Sequence, residues 1–518
     1  MRQLCSLAEL NENLVPFTAQ QVTSSLIWCA ENVRNIEALR TSCSYIIDPE
    51  SLAPAKIFQA ERYGGSGIQR NGGGARCGFD GHYQVKGIGS NPLVGEGSDK
   101  HHSDGALGAI HAIYEALWGE VLAKILPYSA VRAQAVLLTN IYIDKSFDRS
   151  HGNSRRALLV REPVIRPAHF ERAPYFRPRP EYAGQFMHDA RRVRAVIRML
   201  PASLPAGSEE TNVDAQRDPR LYCIEGLCEL AHREAWQMAY CRTRFLRLTT
   251  SPSNIAVDGR LMDFNGLSCL FPGDYPNDFG HQLRLSELMK EPAVLQQGLI
   301  DLCFYLGKYL FDSEFTRVAC QKVEMTFKET FHEACYYGYL EQLGIPIDRM
   351  PKGKIPDILR QLVDSFIAIV NRRSEKLYSR DSDLKSDSPL QGLVLELIRQ
   401  SQEQNLVVGN DRNMDLDIQF KETLHCFSQG IHYIKQVRIM ERSNSQSLLT
   451  QIEQHARKRL QPRKWLGKAY MFDAIADLLD EHGDDPMYLL EAFSDMGTRM
   501  QIFSEEALGC FSPVKIAQ

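Results

Sequence analysis

The chain has 518 residues, enough for two or three domains and a large core. A net charge of −4 and a pI near 6.4 give no reason to expect nucleic acid or an anionic membrane as partner. No apolar run approaches the roughly 18–20 residues of a membrane span, no secretory signal opens the chain, and thirteen cysteines form no C-x-x-C pair, so a cytoplasmic protein with reduced thiols and no membrane insertion is expected.

Residues 1–60 read as mixed, with an amphipathic segment around Val22–Ile36 and a proline-containing connection at Pro49–Pro54. Glycine then concentrates between Tyr63 and Arg76, as Gly72-Gly73-Gly74-Ala-Arg76 at its end. Such a run suits either a flexible surface loop or a backbone that lets N–H groups approach an anion. Cys77–Val85, with Asp80-Gly81 inside, reads as a hairpin. Period-two alternation in its second strand puts Tyr83 and Val85 on one face, Gln84 and Lys86 on the other. After a second glycine-rich turn (Gly87–Gly97), the spacing predicts a helix with Asp104 as N-cap and an apolar stripe from Leu107 to Ile125. Glu115 lies on the flank of that stripe and needs a partner; Lys86 is the obvious one. Val136–Ile143 reads as a buried strand.

Residues 149–180 hold eight arginines against two glutamates, with prolines at 163, 167, 174, 178 and 180. Arginine is favoured where planar phosphate or carboxylate oxygens are gripped, and a solvated basic loop is the alternative. Helical periodicity then covers segments near 187–200, 219–242, 279–291, 294–312, 314–342 and 355–375. It is interrupted by Ser253–Gly266, where Ile255–Val257 and Arg260–Met262 read as short strands joined by a two-residue Asp258-Gly259 turn. That register places Asn254 opposite Asp263, close enough to share a hard cation such as Mg²⁺; a hairpin with a merely polar end is the plainer reading. Residues 376–415 read as a polar linker. The last hundred residues form a further helical unit, whose basic patch (His455–Arg459, Arg463, Lys464) reads as a solvated face.

These motifs, in this order, resemble the selenoprotein O (SelO) family, protein adenylyltransferases on a kinase-like bilobal fold. The likeness covers about residues 60–270. It runs through Gly72-Gly73-Gly74-Ala-Arg76, Val85-Lys86-Gly87-Ile88-Gly89, Asp104-Gly105 with Glu115 eleven residues after the aspartate, Arg161, Arg166-Pro-Ala-His-Phe-Glu171, and Asn254 nine residues before Asp263-Phe-Asn-Gly266. The resemblance implies an α+β fold: a mixed α/β N-lobe (1–155), a mainly helical C-lobe (156–380) carrying the arginine segment and the hairpin, and a C-terminal helical extension (381–518). It implies ATP as cofactor with Mg²⁺ or Mn²⁺. Lys86 would hold nucleotide phosphates and be fixed by Glu115; Gly72, Gly73, Gly74, Arg76, Arg161 and Arg166 would complete the nucleotide site. Asn254 and Asp263 would hold the metal. AMP, rather than phosphate, would be transferred.

Two departures bear on the acceptor. The family places an aspartate immediately before the metal asparagine, where this chain has Ser253, and the family's C-terminal selenocysteine or cysteine motif is missing. A hydroxyl acceptor must lose a proton, whereas a carboxylate is already an anion at neutral pH. The expectation is therefore a nucleotidyltransferase activating a peptide carboxylate. The alternatives are AMP transfer to Ser, Thr or Tyr hydroxyls of a protein, or a nucleotide-binding pseudokinase scaffold. In length and in these divergent motifs the chain is also similar to maturation proteins of siderophore-microcin gene clusters in enteric bacteria. That likeness implies peptide maturation, with siderophore attachment to a microcin and an acyltransferase-like partner protein.

Overall fold

The computed structural model describes residues 6–68, 70–98, 104–143, 154–207, 217–272, 279–345, 354–371, 389–404, 418–440 and 446–509. Its architecture is α+β. Eight strands form one antiparallel sheet: β1 (Leu14–Gln21), β2 (Ser24–Cys29), β3 (Tyr45–Ile46), β4 (Ala55–Glu61), β5 (Cys77–Phe79), β6 (Gln84–Lys86), β7 (Ala133–Ile143) and β8 (Ser154–Arg161). Their spatial order is β2-β7-β8-β6-β5-β4-β1-β3. Alternation sorts the two faces. Ala135, Leu137, Leu158, Val160 and Val85 pack with Leu39 and Cys43 of the helix Ile36–Cys43. Val136, Leu138, Ala157 and Leu159 face the helix Ala109–Ile125.

The Cys77–Val85 hairpin forms as read, with Cys77 paired to Lys86 and Phe79 to Gln84. The expected N-cap does not. The helix starts at Ala109 behind Gly108, and Asp104 Oδ1 instead accepts the Ala106 amide at 3.0 Å. The chain before the helix is held extended, because Leu107 O accepts the Ala157 amide (2.8 Å) and Gly108 bridges to Arg156 in β8. The sheet also runs past residue 155, and Arg161, read as part of the proline-containing, arginine-rich segment, is the last residue of β8.

Long helices follow: Pro219–Thr243, Phe279–Tyr309, Ser313–Gln342 and Asp357–Asn371. The two helices expected at 279–291 and 294–312 are one. Pro292 lies inside it, and buried packing of Pro292, Leu295 and Leu299 overrides the local breaker. The expected linker 376–415 contains the helix Pro389–Gln404, whose Leu390, Val394, Leu397 and Ile398 are buried; its remaining residues, 376–388 and 405–415, lie outside the described ones. Helices Ile418–Met440, Gln446–Arg459, Lys468–His482 and Pro486–Ala507 build the C-terminal unit.

The basic patch there is solvated at His455, Arg457, Lys458 and Lys464, as read, but not at Arg459 and Arg463. Arg463 is fully buried and donates to the carbonyls of Arg244 (2.8 Å), Arg459 and Ala507 (2.9 Å). Arg459 pairs with Glu341 at 2.9 Å. Among the described residues no helix is long and apolar enough to cross a membrane, and the described cysteines are free thiols.

Candidate functional site

Lys86 ends β6 in the middle of the sheet, and the pleat turns it with Gln84 toward the helix Ala109–Ile125. Its side chain is 1% exposed, so it is no solvated strand lysine. The ammonium donates to Glu115 Oε2 at 2.6 Å and to Asp263 Oδ1 at 2.8 Å. Glu115 reaches it because the helix is held in place twice. Tyr114 donates to Leu267 O (2.8 Å), and Tyr114 also packs edge-on against Phe472 of the C-terminal unit, centroids 5.0 Å apart.

Arg161 lies on the same face, since Gln84 of β6 pairs with Arg161 of β8. Its Nη1 donates to Glu115 Oε1 at 3.3 Å and its Nε to Gln84 Oε1, while Gln84 Nε2 donates to Glu61. Glu61, Gln84, Arg161, Glu115, Lys86 and Asp263 thus form one buried polar chain. Burial alone raises the Glu61 carboxyl; His169, Arg166 and Gln84 outweigh it and leave it below its ordinary value. Burial also acts upward on Asp263, but Lys86, Arg76 and Arg161 hold it far below the usual carboxylate range. Asp263 is therefore an anion at neutral pH. Its second oxygen accepts no hydrogen bond from the described residues, and the side chain keeps 27% exposure.

The hairpin that presents Asp263 differs from expectation by one residue. Ile255 pairs with Leu261, Ala256 N donates to Arg260 O (2.9 Å), and Met262 N donates to Asn254 O (3.0 Å). Asn254 therefore faces Met262, with Asp263 the next residue along. The cause is a three-residue loop, Val257–Gly259: a tight turn closed by Gly259 N to Ala256 O at 2.9 Å, with Gly259 at φ +88°. The two segments form single bridges rather than ladders. Asp263 itself sits at φ +64°, a left-handed conformation that aspartate tolerates better than most residues. Asn254 is half-buried; its backbone amide donates to Ser251 O (2.8 Å), and its side-chain carboxamide makes no hydrogen bond to a described residue. Ser253, standing where the resembled family has an aspartate, is buried with its hydroxyl 2.8 Å from that of Ser251.

Arg166 is brought to the Ser253 carbonyl, one residue before Asn254. Its Nη1 donates to Ser253 O (3.0 Å) and Tyr63 OH (3.3 Å), the guanidinium lies over the Tyr63 ring, and its buried Nε has no partner among the described residues. His169 Nδ1 accepts the Arg166 amide at 2.9 Å and its Nε2 lies 3.4 Å from Glu61 Oε2. Burial lowers the His169 pKa, so the ring is a neutral positioning group. Arg76 is half-buried and makes no hydrogen bond through its guanidinium to a described residue, yet it acts electrostatically on Asp263.

The glycine run is packed rather than loose, which corrects its expected part. The Gly72 amide donates to Leu93 O (2.8 Å) and that of Gly74 to Glu61 O (2.9 Å), so neither is free to cradle an anion. Gly73, at φ +140°, fits because it has no side chain; a Cβ there would collide with the Glu61 carbonyl. Gly73 lines a cavity of about 570 Å³ with Tyr63, Gly67, Arg70, Ser253 and Asn254.

Among the described residues no three His, Cys, Asp or Glu side chains form a metal cluster. An ionised Asp263 with a free oxygen and an uncommitted Asn254 amide nonetheless suit Mg²⁺, which commonly takes one or two protein oxygens and completes its shell with phosphate and water. Four cations, Lys86, Arg76, Arg161 and Arg166, stand among three carboxylates, Glu61, Glu115 and Asp263, which leaves the site electropositive toward an anion.

Sequence reading missed Glu61, Tyr63, His169 and Asn265. Asn265 donates to Glu115, and its carbonyl accepts Lys468 Nζ of the C-terminal unit at 2.7 Å. His169 and Asn265 carried a signal as members of motifs already singled out, and Tyr63 as the residue that opens the glycine run; Glu61 carried none. Compared with known protein families and with curated proteins, the chain matches none of them.

Proposed function

We propose that the protein is an ATP- and Mg²⁺-dependent adenylyltransferase that activates a peptide carboxylate, built as a kinase-like pair of lobes. Lys86, clamped between Glu115 and the anionic Asp263, carries the reading. A buried lysine with two carboxylates is costly to maintain for stability alone, and a phosphate group meeting it would find Arg76 and Arg161 on the same side. Asp263 and Asn254 would hold Mg²⁺, which supplies charge neutralisation along the phosphates.

Ser253 supports a carboxylate as the acceptor. Its hydroxyl is bonded to another hydroxyl, Ser251, and offers no general base. A carboxylate needs none: one of its oxygens bonds to the α-phosphorus, the bond from that phosphorus to the bridging oxygen breaks, and pyrophosphate leaves with the electron pair. No proton moves, and the product is an acyl-adenylate. The residues then act by positioning and by opposing charge.

The test compares a peptide bearing a free C-terminal carboxylate with its amidated twin, in the presence of Mg²⁺ and ATP, by pyrophosphate release. Release with the free peptide alone is expected. Stable AMP on Ser, Thr or Tyr would assign the hydroxyl chemistry instead. ATP binding with no release from either peptide would leave a nucleotide-binding scaffold.

A further inference from the structure

A second cavity, about 1020 Å³, opens between the arginine segment and the helices Phe279–Tyr309 and Ser313–Gln342. It adjoins the first. Gly65 and Ser66 line it, while Gly67 and Ile68 of the same turn line the cavity beside Asn254. Glu171 is part of its wall. That side chain is 98% buried, yet no described residue donates a hydrogen bond to its carboxyl; its backbone carbonyl, by contrast, accepts from Arg192. Gly65, at φ +85°, leaves the room that the carboxyl occupies, because a Cβ there would collide with Glu171 Oε2. Asp301 lines the same cavity, as do Tyr175, Phe304 and Tyr305. Tyr175 and Phe304 are 68% and 56% exposed.

An unpaired buried carboxyl, a second acid and an aromatic wall together match one ligand chemistry, a desolvated cation. We propose that this cavity is a subsite for a single basic side chain, ammonium or guanidinium, of a peptide, seated between Glu171 and Asp301 against Tyr175, Phe304 and Tyr305. That this peptide is the acceptor rests on the function proposed above, whereas cation binding stands without it.

The other charges around the cavity leave the carboxyl available. Arg172 leans to Asp189 at 3.8 Å, Arg317 is paired with Glu314 at 2.6 Å, and Lys308 is exposed at the rim. Arg192 is bound to Asp189 and to backbone carbonyls. Burial and the charge of Asp301 push the Glu171 pKa up to about 8 despite Arg192. A bound cation would therefore displace a proton at neutral pH.

The experiment is calorimetric titration of the full chain, without ATP, at pH 7 in two buffers of different protonation enthalpy. The probes are acetyl-Gly-Lys-Gly-amide and its Nε-acetyl-lysine counterpart. The lysine peptide is expected to bind at least about 10-fold more tightly and to release about one proton. E171Q, which keeps shape and neutrality, should lose that preference and the proton release; D301N, which removes a charge that raises the Glu171 pKa, should weaken binding and reduce the release. Equal affinity for both peptides, binding of neither, or an E171Q protein that still discriminates would overturn the assignment. Because ATP is absent, failure here leaves nucleotidyl transfer untouched, and a protein without transferase activity can still pass.

Discussion

Asn254 and Lys86 differ in what holds them, and their substitutions should separate function from folding. The Asn254 side-chain carboxamide makes no hydrogen bond to a described residue, so Asn254→Ala should change unfolding free energy by no more than about 0.5 kcal/mol. It should still lower Mg²⁺-dependent pyrophosphate release by roughly 100-fold. Lys86→Ala removes the ammonium from Asp263 and leaves Glu115 with Arg161 and Asn265 alone, and should cost about 3–5 kcal/mol. Urea unfolding of both variants beside the activity assay checks this pair. Glu171 gives a pH prediction of its own. Its folded pKa, about 8, lies above the unfolded carboxylate value, so the folded state binds the extra proton. Its contribution is fully present below about pH 4.3 and is lost as pH rises to 8. Wild type should therefore lose stability across that window, on the order of 1 kcal/mol per pH unit, and Glu171→Gln should flatten the slope. Unfolding midpoints between pH 5 and 8 that run parallel in the two proteins would contradict it.

At the scale of elements, the hairpin and the segment after it depend on two glycines. Gly259 supplies the positive φ that ends the turn, and Gly266 lies so close to Thr249, itself at φ +55°, that a Cβ would overlap its hydroxyl. Gly266→Ala should cost about 1–3 kcal/mol and reduce turnover, because the displaced segment carries both Asp263 and Asn265; circular-dichroism melting and the release assay measure the two effects. These elements also mark how far sequence reading reached. The strand of Lys86 was legible because period-two alternation directly states which side chains share a face, and Glu115 was legible as a charge on an apolar stripe. The register between Asn254 and Asp263 was not, because Asp258-Gly259 serves a two-residue turn and the end of a three-residue turn equally well. Gly72 and Gly74 looked like an anion cradle because composition shows that amides are exposed to approach, not which carbonyls already hold them.

For the molecule as a whole, the C-terminal unit is part of the site's support. Lys468 grips the Asn265 carbonyl, Phe472 packs on Tyr114, and Arg463 ties carbonyls of three separate segments. A basic cluster read from sequence suggests solvent, since the acceptors that bury Arg463 come from positions as distant as Arg244. Arg463→Ala leaves those carbonyls unpaired and should cost at least about 1–3 kcal/mol. Hydrogen exchange should then quicken both in Pro486–Ala507 and in the 263–267 segment; faster exchange confined to the C-terminal helices would show that the unit is not coupled to the site.

In the proposed function Lys86, Asp263 and Asn254 serve transfer at the α-phosphate of ATP. This role is tested most directly with ATP radiolabelled at that phosphate, Mg²⁺ and a peptide with a free carboxylate, followed by the fate of label and pyrophosphate in wild type and in Asp263→Ala. Pyrophosphate release that requires the carboxylate and is lost with Asp263 is expected. Release of ADP with the label still on the nucleotide, or peptide-dependent pyrophosphate release that survives Asp263→Ala, would contradict it.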